Sequence, residues 1–360
     1  MTEHKSLLQT QVHGIALAVL IGWVLYVARN VLVPVAYGAL LVYVVLGMAR
    51  QMARIPRLGP RLPAALRYVV SAAVILAAVW GLTRLVLASI AEITENAARY
   101  DQATLGVIQR AAAWLGIETE PTWPQLRQVV FERVGVTRLL GSTAGLMLGL
   151  VATLAVVVIY AIFLLIEKRA FDHKIDRLYA DPGRAKRLRT VIHAINDRVS
   201  NYLALKTLLG VGLGVVTWAA MAWMGLGFAG LSGLLAGLFN YIPYVGSVLG
   251  VAVPALLALL SGADSGSLFW LCVGLAVVQF LNGNLLDPYL MGDSLNLSPL
   301  IILFSLAVWS KLWGIPGALL AVPFAAVMLI VFQEFKGTRP LAVLLSRDGQ
   351  LDEDGRGDAA

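Results

Sequence analysis

Eight long apolar runs determine what this 360-residue chain can fold into. They occupy residues 12–28, 31–49, 67–90, 143–166, 203–224, 228–260, 268–286 and 298–333. An apolar run of about 18 or more residues can cross a hydrocarbon layer about 30 Å thick as one α-helix. Only 14% of the residues are charged, against roughly 25% in soluble domains. The sequence therefore predicts an all-α polytopic membrane protein, since a β-barrel would show short alternating segments.

The charges between these runs predict the orientation. The link 50–67 holds five arginines and no acid, and the segment 167–200 holds nine bases. Basic links stay in the cytoplasm, so both termini are expected inside and the nearly neutral segment 91–142 outside. The predicted regions are three spans in 1–90, an outer amphipathic helical segment in 91–142, a fourth span in 143–166, a basic cytoplasmic segment in 167–200, a transport core in 203–333 and a disordered cytoplasmic tail in 334–360.

Two of the runs are longer than one span needs. As straight helices, residues 228–260 and 298–333 would each extend about 50 Å or more. Each contains helix breakers near its middle, NYIPYVG in the first and SKLWGIPG in the second. Each is therefore a re-entrant helical hairpin or a long kinked helix. The fold has either six full spans plus two hairpins, or eight spans.

The two long runs also resemble each other. LSGL and LSPL open them, AVP recurs in both, and a plain apolar run precedes each. The repeating units would be 203–260 and 268–333. If the repeat is real, the units are inverted relative to each other, which is typical of transporters. Short matches among Leu, Ala and Val also arise by chance.

The first break is predicted to be a binding site or a structural kink. Pro243 removes a backbone donor, Gly246 permits a tight bend, and Asn240 and Ser247 offer polar side-chain groups at the break. A broken helix in a membrane must be shielded by protein or line a wet cavity. The side chains at this break therefore contact either a substrate or ion, or simply the rest of the protein.

A second polar cluster follows about forty residues later. Gln279 and Asn282 are three residues apart and share a helical face, and Asn284 lies close by. Asp287 precedes Pro288, which predicts the end of a helix there. An ionisable group at membrane depth usually marks an ion or proton path, whereas Asp287 at the interface would be ordinary.

Signatures of catalysis are missing from the sequence. There is no HExxH, GxSxG or P-loop, and a lipid-modifying enzyme would have to use His173 or His193, which have no metal-like partners. We expect no catalytic residue, no metal and no cofactor. Glycines four residues apart, as at 210 and 214 and at 233 and 237, predict close helix packing.

Three segments carry a family resemblance: FNYIPYVGSVLG, GNLLDPYLMGDSLNLSPL and LWGIPGALLAVP. They resemble the autoinducer-2 exporter-like (AI-2E) transporter family. The resemblance implies a permease of the prokaryotic plasma membrane that assembles as a homo-oligomer. It also implies export of a furanone signalling molecule or, alternatively, sodium–proton exchange.

The leading hypothesis is a transporter of a small polar solute, or of a monovalent cation or proton, that works by alternating access. Asp287 is the candidate coupling carboxylate, and the nearby amides supply neutral ligands. The predicted binding residues are Asn240, Tyr241, Pro243, Gly246, Gln279, Asn282, Asn284, Asp287 and Pro288. Membrane lipid is an expected partner and nucleic acid is not. The alternative from another class is a membrane scaffold or regulator that transports nothing.

Overall fold

The computed structural model describes residues 2–54, 62–95, 152–167, 170, 174–175, 177–178, 181–291, 295–335 and 337–351. Most of the predicted outer segment 91–142 lies outside these residues. So do the beginning of the predicted span 143–166, part of the predicted basic segment 167–200 and the end of the predicted tail. The predicted disorder of the tail 334–360 is wrong for its first part, because residues 339–345 form a helix in which Ala342 and Leu345 are buried.

The described backbone is helical between its turns, with one isolated bridge joining Leu297 and Ser346. The helices are α1 (Thr2–Val27), α2 (Arg29–Arg54), α3 (Ala64–Glu95), α4 (Ala152–Glu167), α5 (Pro182–Trp223), α6 (Ala229–Phe239), α7 (Val245–Leu260), α8 (Ser265–Leu281), α9 (Asp287–Met291), α10 (Pro299–Trp313), α11 (Ile315–Glu334) and α12 (Arg339–Leu345). Five helical runs in the described ranges are long and apolar enough to cross a membrane, namely 29–53, 65–85, 183–223, 265–290 and 315–334. The chain is an all-α polytopic membrane protein, as predicted.

The chain forms two compact units. The first comprises Met1–Val44, Val156–Leu203 and Asp293–Ala360, and the second comprises Val45–Ala155 and Ala204–Gly292. All the predicted site residues belong to the second unit.

The first long run, 228–260, folds as a helical hairpin in the second unit. Its two helices, α6 and α7, pack against each other and are joined by residues 240–244. The Val245 amide donates to the Pro243 carbonyl at 2.6 Å, and Tyr244 between them has φ 61° and ψ −55°. This is the rare, strained form of the γ-turn. The alternative of a single kinked span is therefore wrong for this run.

The role of Gly246 differs from the one predicted. The positive φ of the bend falls on Tyr244, while Gly246 lies in the first turn of α7 against the carbonyl of Phe239. A Cβ at Gly246 would overlap that carbonyl oxygen. Gly246 therefore acts by letting the first turn of α7 approach the end of α6, and Tyr244 provides the bend itself.

The second long run, 298–333, is also a hairpin and lies in the first unit. α10 ends at Gly314, whose φ of 67° reverses the chain into α11. The Ser305 hydroxyl in α10 donates to the Ala321 carbonyl in α11 at 2.8 Å. The rings of Trp309 and Phe324 also meet across the pair, 4.2 Å apart. The breakers in both long runs thus mark hairpin turns.

The predicted helix end at Asp287 and Pro288 is wrong. α8 continues through a π-helical segment, Asn282–Leu286, directly into α9. The Asp287 amide donates to the Asn282 carbonyl, five residues back. A π turn shifts the register of the backbone hydrogen bonds. The proline's missing donor is accommodated within this shift, so the helix does not have to stop.

Helices α5 and α6 cross at glycines. The Cα of Gly210 faces the carbonyl of Gly237, and that of Gly214 faces the carbonyl of Gly233. A Cβ added at Gly233 would lie 2.5 Å from the Gly214 oxygen. The predicted packing role of these glycines is what the structure shows, because two backbones come this close only where side chains are missing.

We expect Gly233→Ala to lower the free energy of unfolding by about 1–3 kcal/mol, because the added methyl group forces α6 away from α5. Thermal unfolding in detergent measures the loss. Gly212→Ala is the matched control in α5, since a Cβ there meets nothing within 4 Å. A variant of Gly233 as stable as that control would contradict the close crossing.

Candidate functional site

Two predicted amides meet at the turn of the first hairpin. The side-chain Nδ2 of Asn282 donates to Oδ1 of Asn240 at 2.8 Å. Both side chains are buried, with Asn240 8% and Asn282 5% exposed. Asn240 caps the end of α6, and Asn282 opens the π segment. The two polar clusters of the sequence are therefore one cluster in the fold.

Asn240 keeps one polar group unsatisfied. Its Nδ2 is buried and donates to no acceptor, although its oxygen is engaged by Asn282. This nitrogen lies beside Gly210 of α5, where a Cβ would be 3.7 Å away. An unpaired buried donor is costly and rare in folded proteins. A solute that brings an acceptor to this nitrogen would recover that cost.

Gln279 lies one turn before Asn282 and is also buried. Its side-chain amide covers the Cα of Gly250 in α7, and a Cβ at that position would overlap the amide nitrogen. α7 and α8 therefore come together where Gly250 leaves room for Gln279.

An ion pair completes the polar cluster. The Nζ of Lys206 in α5 donates to Oδ2 of Asp287 at 2.7 Å. The Lys206 side chain is 8% exposed and that of Asp287 is 25% exposed. The second oxygen of Asp287, Oδ1, is buried without a hydrogen-bond partner.

Lys206 was not among the predicted binding residues. The sequence does contain a feature that singles it out, because Lys206 is the one base in the apolar run 203–224. Burying two charges is expensive unless they pair, and ionisable groups at membrane depth usually serve a function. A lysine within one apolar run and an aspartate directly after another can thus be predicted to pair.

The π segment positions Asp287 for this contact. Residues 282 and 287 are joined by a hydrogen bond over five residues, so they lie one turn apart on nearly the same side of the helix. In an α-helix that position would belong to residue 286. The π turn therefore places Asp287 on the side that carries the buried Asn282.

Next to Lys206, the hydroxyls of Thr207 and Tyr241 are 2.6 Å apart and hydrogen-bonded. This pair joins α5 to the hairpin turn. Tyr241 was predicted to bind substrate, and the structure places its hydroxyl against Thr207. Both side chains also line an apolar cavity of about 600 Å³ among α3, α5 and α6.

Two other predicted residues, Asn284 and Pro288, lie away from this cluster. Asn284 is exposed, and its side-chain nitrogen donates to the Phe280 carbonyl of its own helix at 3.0 Å. Pro288 is exposed, and Pro243 lies within the turn. Within the described ranges no group of three or more His, Cys, Asp or Glu residues is arranged to hold a metal.

Taken together, the fold and this cluster define a polytopic membrane protein with a buried polar centre at a broken helix. The family model for AI-2E family transporters matches residues 15–337. The chain therefore belongs to the AI-2E transporter family.

Relatives support the same family. The chain is 36% identical over 185 residues to the "AI-2 transport protein TqsA" of Escherichia coli strain K12, which covers 51% of this chain and 53% of that protein. It is 33% identical over 222 residues to the "Putative transport protein YhhT" of the same strain, covering 60% of this chain and 62% of YhhT. The "Putative transport protein YrrI" of Bacillus subtilis is 34% identical over 148 residues, 41% of this chain and 40% of YrrI. The chain thus spans about half to three fifths of the length of TqsA and YhhT.

The pairing of the two amides can be tested by a double-mutant cycle. We expect Asn240→Leu and Asn282→Leu each to lower the free energy of unfolding by about 1–3 kcal/mol, since each leaves a buried polar group unpaired. The double variant should lose less than the sum of the two. Thermal or denaturant unfolding in detergent measures all three. Exposed Asn284→Leu is the control and should change little; strict additivity would contradict the pairing.

Proposed function

We propose that the chain moves a small polar solute across the prokaryotic plasma membrane by alternating access at the first hairpin. The observation that carries the proposal is the buried polar cluster at the hairpin turn, where Asn240 offers an unpaired donor and Asp287 an unpaired acceptor. Broken helices with polar groups at membrane depth are typical of transporter binding sites.

The hairpin is a re-entrant element. α6 has 11 residues and is about 16 Å long, about half the thickness of the hydrocarbon layer. It therefore enters and turns back inside the membrane, and the turn at residues 240–244 lies at depth. By the same reasoning the loop 261–264 returns to the side from which the hairpin entered.

A neutral, hydroxyl-bearing molecule suits the unpaired groups. A hydroxyl group can accept from Asn240 Nδ2 and donate to Asp287 Oδ1. The relative TqsA is named an AI-2 transport protein, which supports an autoinducer-2-like signalling molecule as the solute. Outward movement follows from that candidate, because a signalling molecule made in the cell has to leave it.

The second candidate function is exchange of a monovalent cation for a proton. The buried carboxylate of Asp287 supports it, because such groups mark ion paths in membranes. A scaffold role, by contrast, predicts that the buried amides tolerate apolar replacement. Cytoplasmic termini, homo-oligomeric assembly and contact with membrane lipid stay predictions from the sequence.

The packing of the second unit supports movement at the turn. An apolar cluster joins the far ends of three helices, with Met221 of α5, Ala258 of α7 and Leu271 of α8 all buried in it. Met221 is 15 residues, about 22 Å, along α5 from Lys206. The apolar end acts as the pivot, and the polar end opens and closes.

Transport is tested in proteoliposomes with the furanone signal as solute. We expect Asn240→Leu to lower flux about tenfold or more, since one buried hydrogen bond of about 1.4 kcal/mol corresponds to tenfold in binding. Asp287→Asn should do the same. Asn284→Leu should leave flux unchanged. Full flux in well-folded Asn240→Leu and Asp287→Asn would rule out this site, and flux of sodium or protons alone would select the second candidate.

The hairpin topology is tested by thiol labelling of Ser265→Cys in a Cys272→Ala background. Ser265 is exposed and begins α8 directly after the loop. With a re-entrant hairpin we expect a membrane-impermeant maleimide to label it from the outside. Labelling from the cytoplasm alone would rule out the re-entrant placement of the hairpin.

A further inference from the structure

Lys206 has a role that the proposed function leaves open. It is a buried base whose ammonium group contacts the candidate coupling carboxylate directly, at 2.7 Å. We propose that Lys206 is a tethered cation that occupies the ion position at Asp287, so that the chain needs no free monovalent cation there. The proposal rests on the assignment of this cluster as the transport site.

The geometry around Asp287 supports a lysine in place of a metal ion. Small hard cations such as sodium are held by several oxygen ligands at once, as the oxygen-rich sites of other hard cations illustrate. Here Asp287 Oδ2 already accepts from Lys206, and Asn240 Oδ1 accepts from Asn282. Of these three oxygens, Asp287 Oδ1 is the one left unpaired. One unpaired carboxylate oxygen suits a hydroxyl donor, whereas a bare ion needs several oxygens at once.

The charge balance supports the same conclusion. A buried carboxylate without a counter-ion is strongly unfavourable, and Lys206 supplies the counter-ion from α5. Because the ammonium is covalently attached, it is always close to the carboxylate and does not depend on the concentration of ions in solution. The site therefore keeps its neutral charge whatever the sodium gradient is.

Lys206 also connects charge to movement. It reaches from α5 to the end of the π segment, so any separation of these elements pulls the two charges apart in a poorly hydrated place. The ion pair thus favours the closed arrangement in the absence of solute. A hydroxyl-bearing solute that donates to Asp287 Oδ1 would partly compensate for a lengthened pair.

The test uses the stability of the purified full chain in detergent, which requires no knowledge of the solute. Tm is measured in sodium, potassium or N-methyl-D-glucamine chloride at equal ionic strength. We expect wild type to give the same Tm in all three salts. Lys206→Met leaves Asp287 without its counter-ion, so we expect a saturable rise of at least about 2 °C in sodium or potassium over N-methyl-D-glucamine.

Three further variants make the test decisive. Lys206→Gln keeps a hydrogen-bond donor and should show the same cation dependence if Lys206→Met folds poorly. Lys206→Met combined with Asp287→Asn removes both charges, and the Tm of this double variant should no longer depend on the cation. Lys311→Met is the matched control, because Lys311 is an exposed lysine in the apolar helix α10, and its Tm should remain independent of the cation.

Two outcomes would overturn the proposal. The first is a cation-specific, saturable rise of Tm in wild type, which would mean that a free ion binds despite Lys206. The second is the absence of any cation dependence in both Lys206 variants, which would make the lysine purely structural. All these measurements are of Tm and none is of flux. A failure of the proposed role of Lys206 can therefore be distinguished from a failure of the proposed transport site.

Discussion

A polar group inside a membrane has to find its partner within the protein, and the second unit of this chain is organised by that requirement. Three side-chain pairs meet it: two amides, two hydroxyls, and the ion pair of Lys206 and Asp287. Each pair joins elements that are distant in sequence. Together they fix α5, the turn of the first hairpin and the π segment relative to one another, and the apolar helices pack around that arrangement.

The strained turn depends on these pairs. Tyr244 is held at a positive φ that a side-chain-bearing residue rarely adopts. Such strain persists only where surrounding contacts determine the backbone, and it costs of order 1–3 kcal/mol. Asn240 and Tyr241, shortly before the γ-turn at residues 243–245, are held by Asn282 and Thr207. We therefore expect that loss of those contacts would also release the strained backbone at Tyr244.

How far the sequence predicts this arrangement depends on the residue type. Amides and breakers stand out in apolar runs, so both hairpins and the meeting of Asn240 with the second cluster could be expected. Lys206 was missed because it stands near the start of its run, where a long basic side chain usually reaches to the interface. Asn284 was included because it is close to Asn282 in sequence, although residues two positions apart on a helix lie on different faces. The π turn follows no local pattern, and the proline after Asp287 even suggested an end.

The two arms of the first hairpin are held by different helices, and this limits where the movement proposed above can occur. α6 is locked to α5 by backbone contacts at glycines, and α7 is fitted to α8 by Gln279 over Gly250. Such close contacts resist sliding, because packed interiors deform little. The two helix pairs meet at the apolar cluster of Met221, Ala258 and Leu271 at one end, and the buried polar pairs bridge them at the turn end. Lys206 lies on one helix pair and Asp287 on the other, so in the proposed transport cycle an opening at the polar end would stretch the ion pair, and the proposed solute would have to stabilise the separated charges.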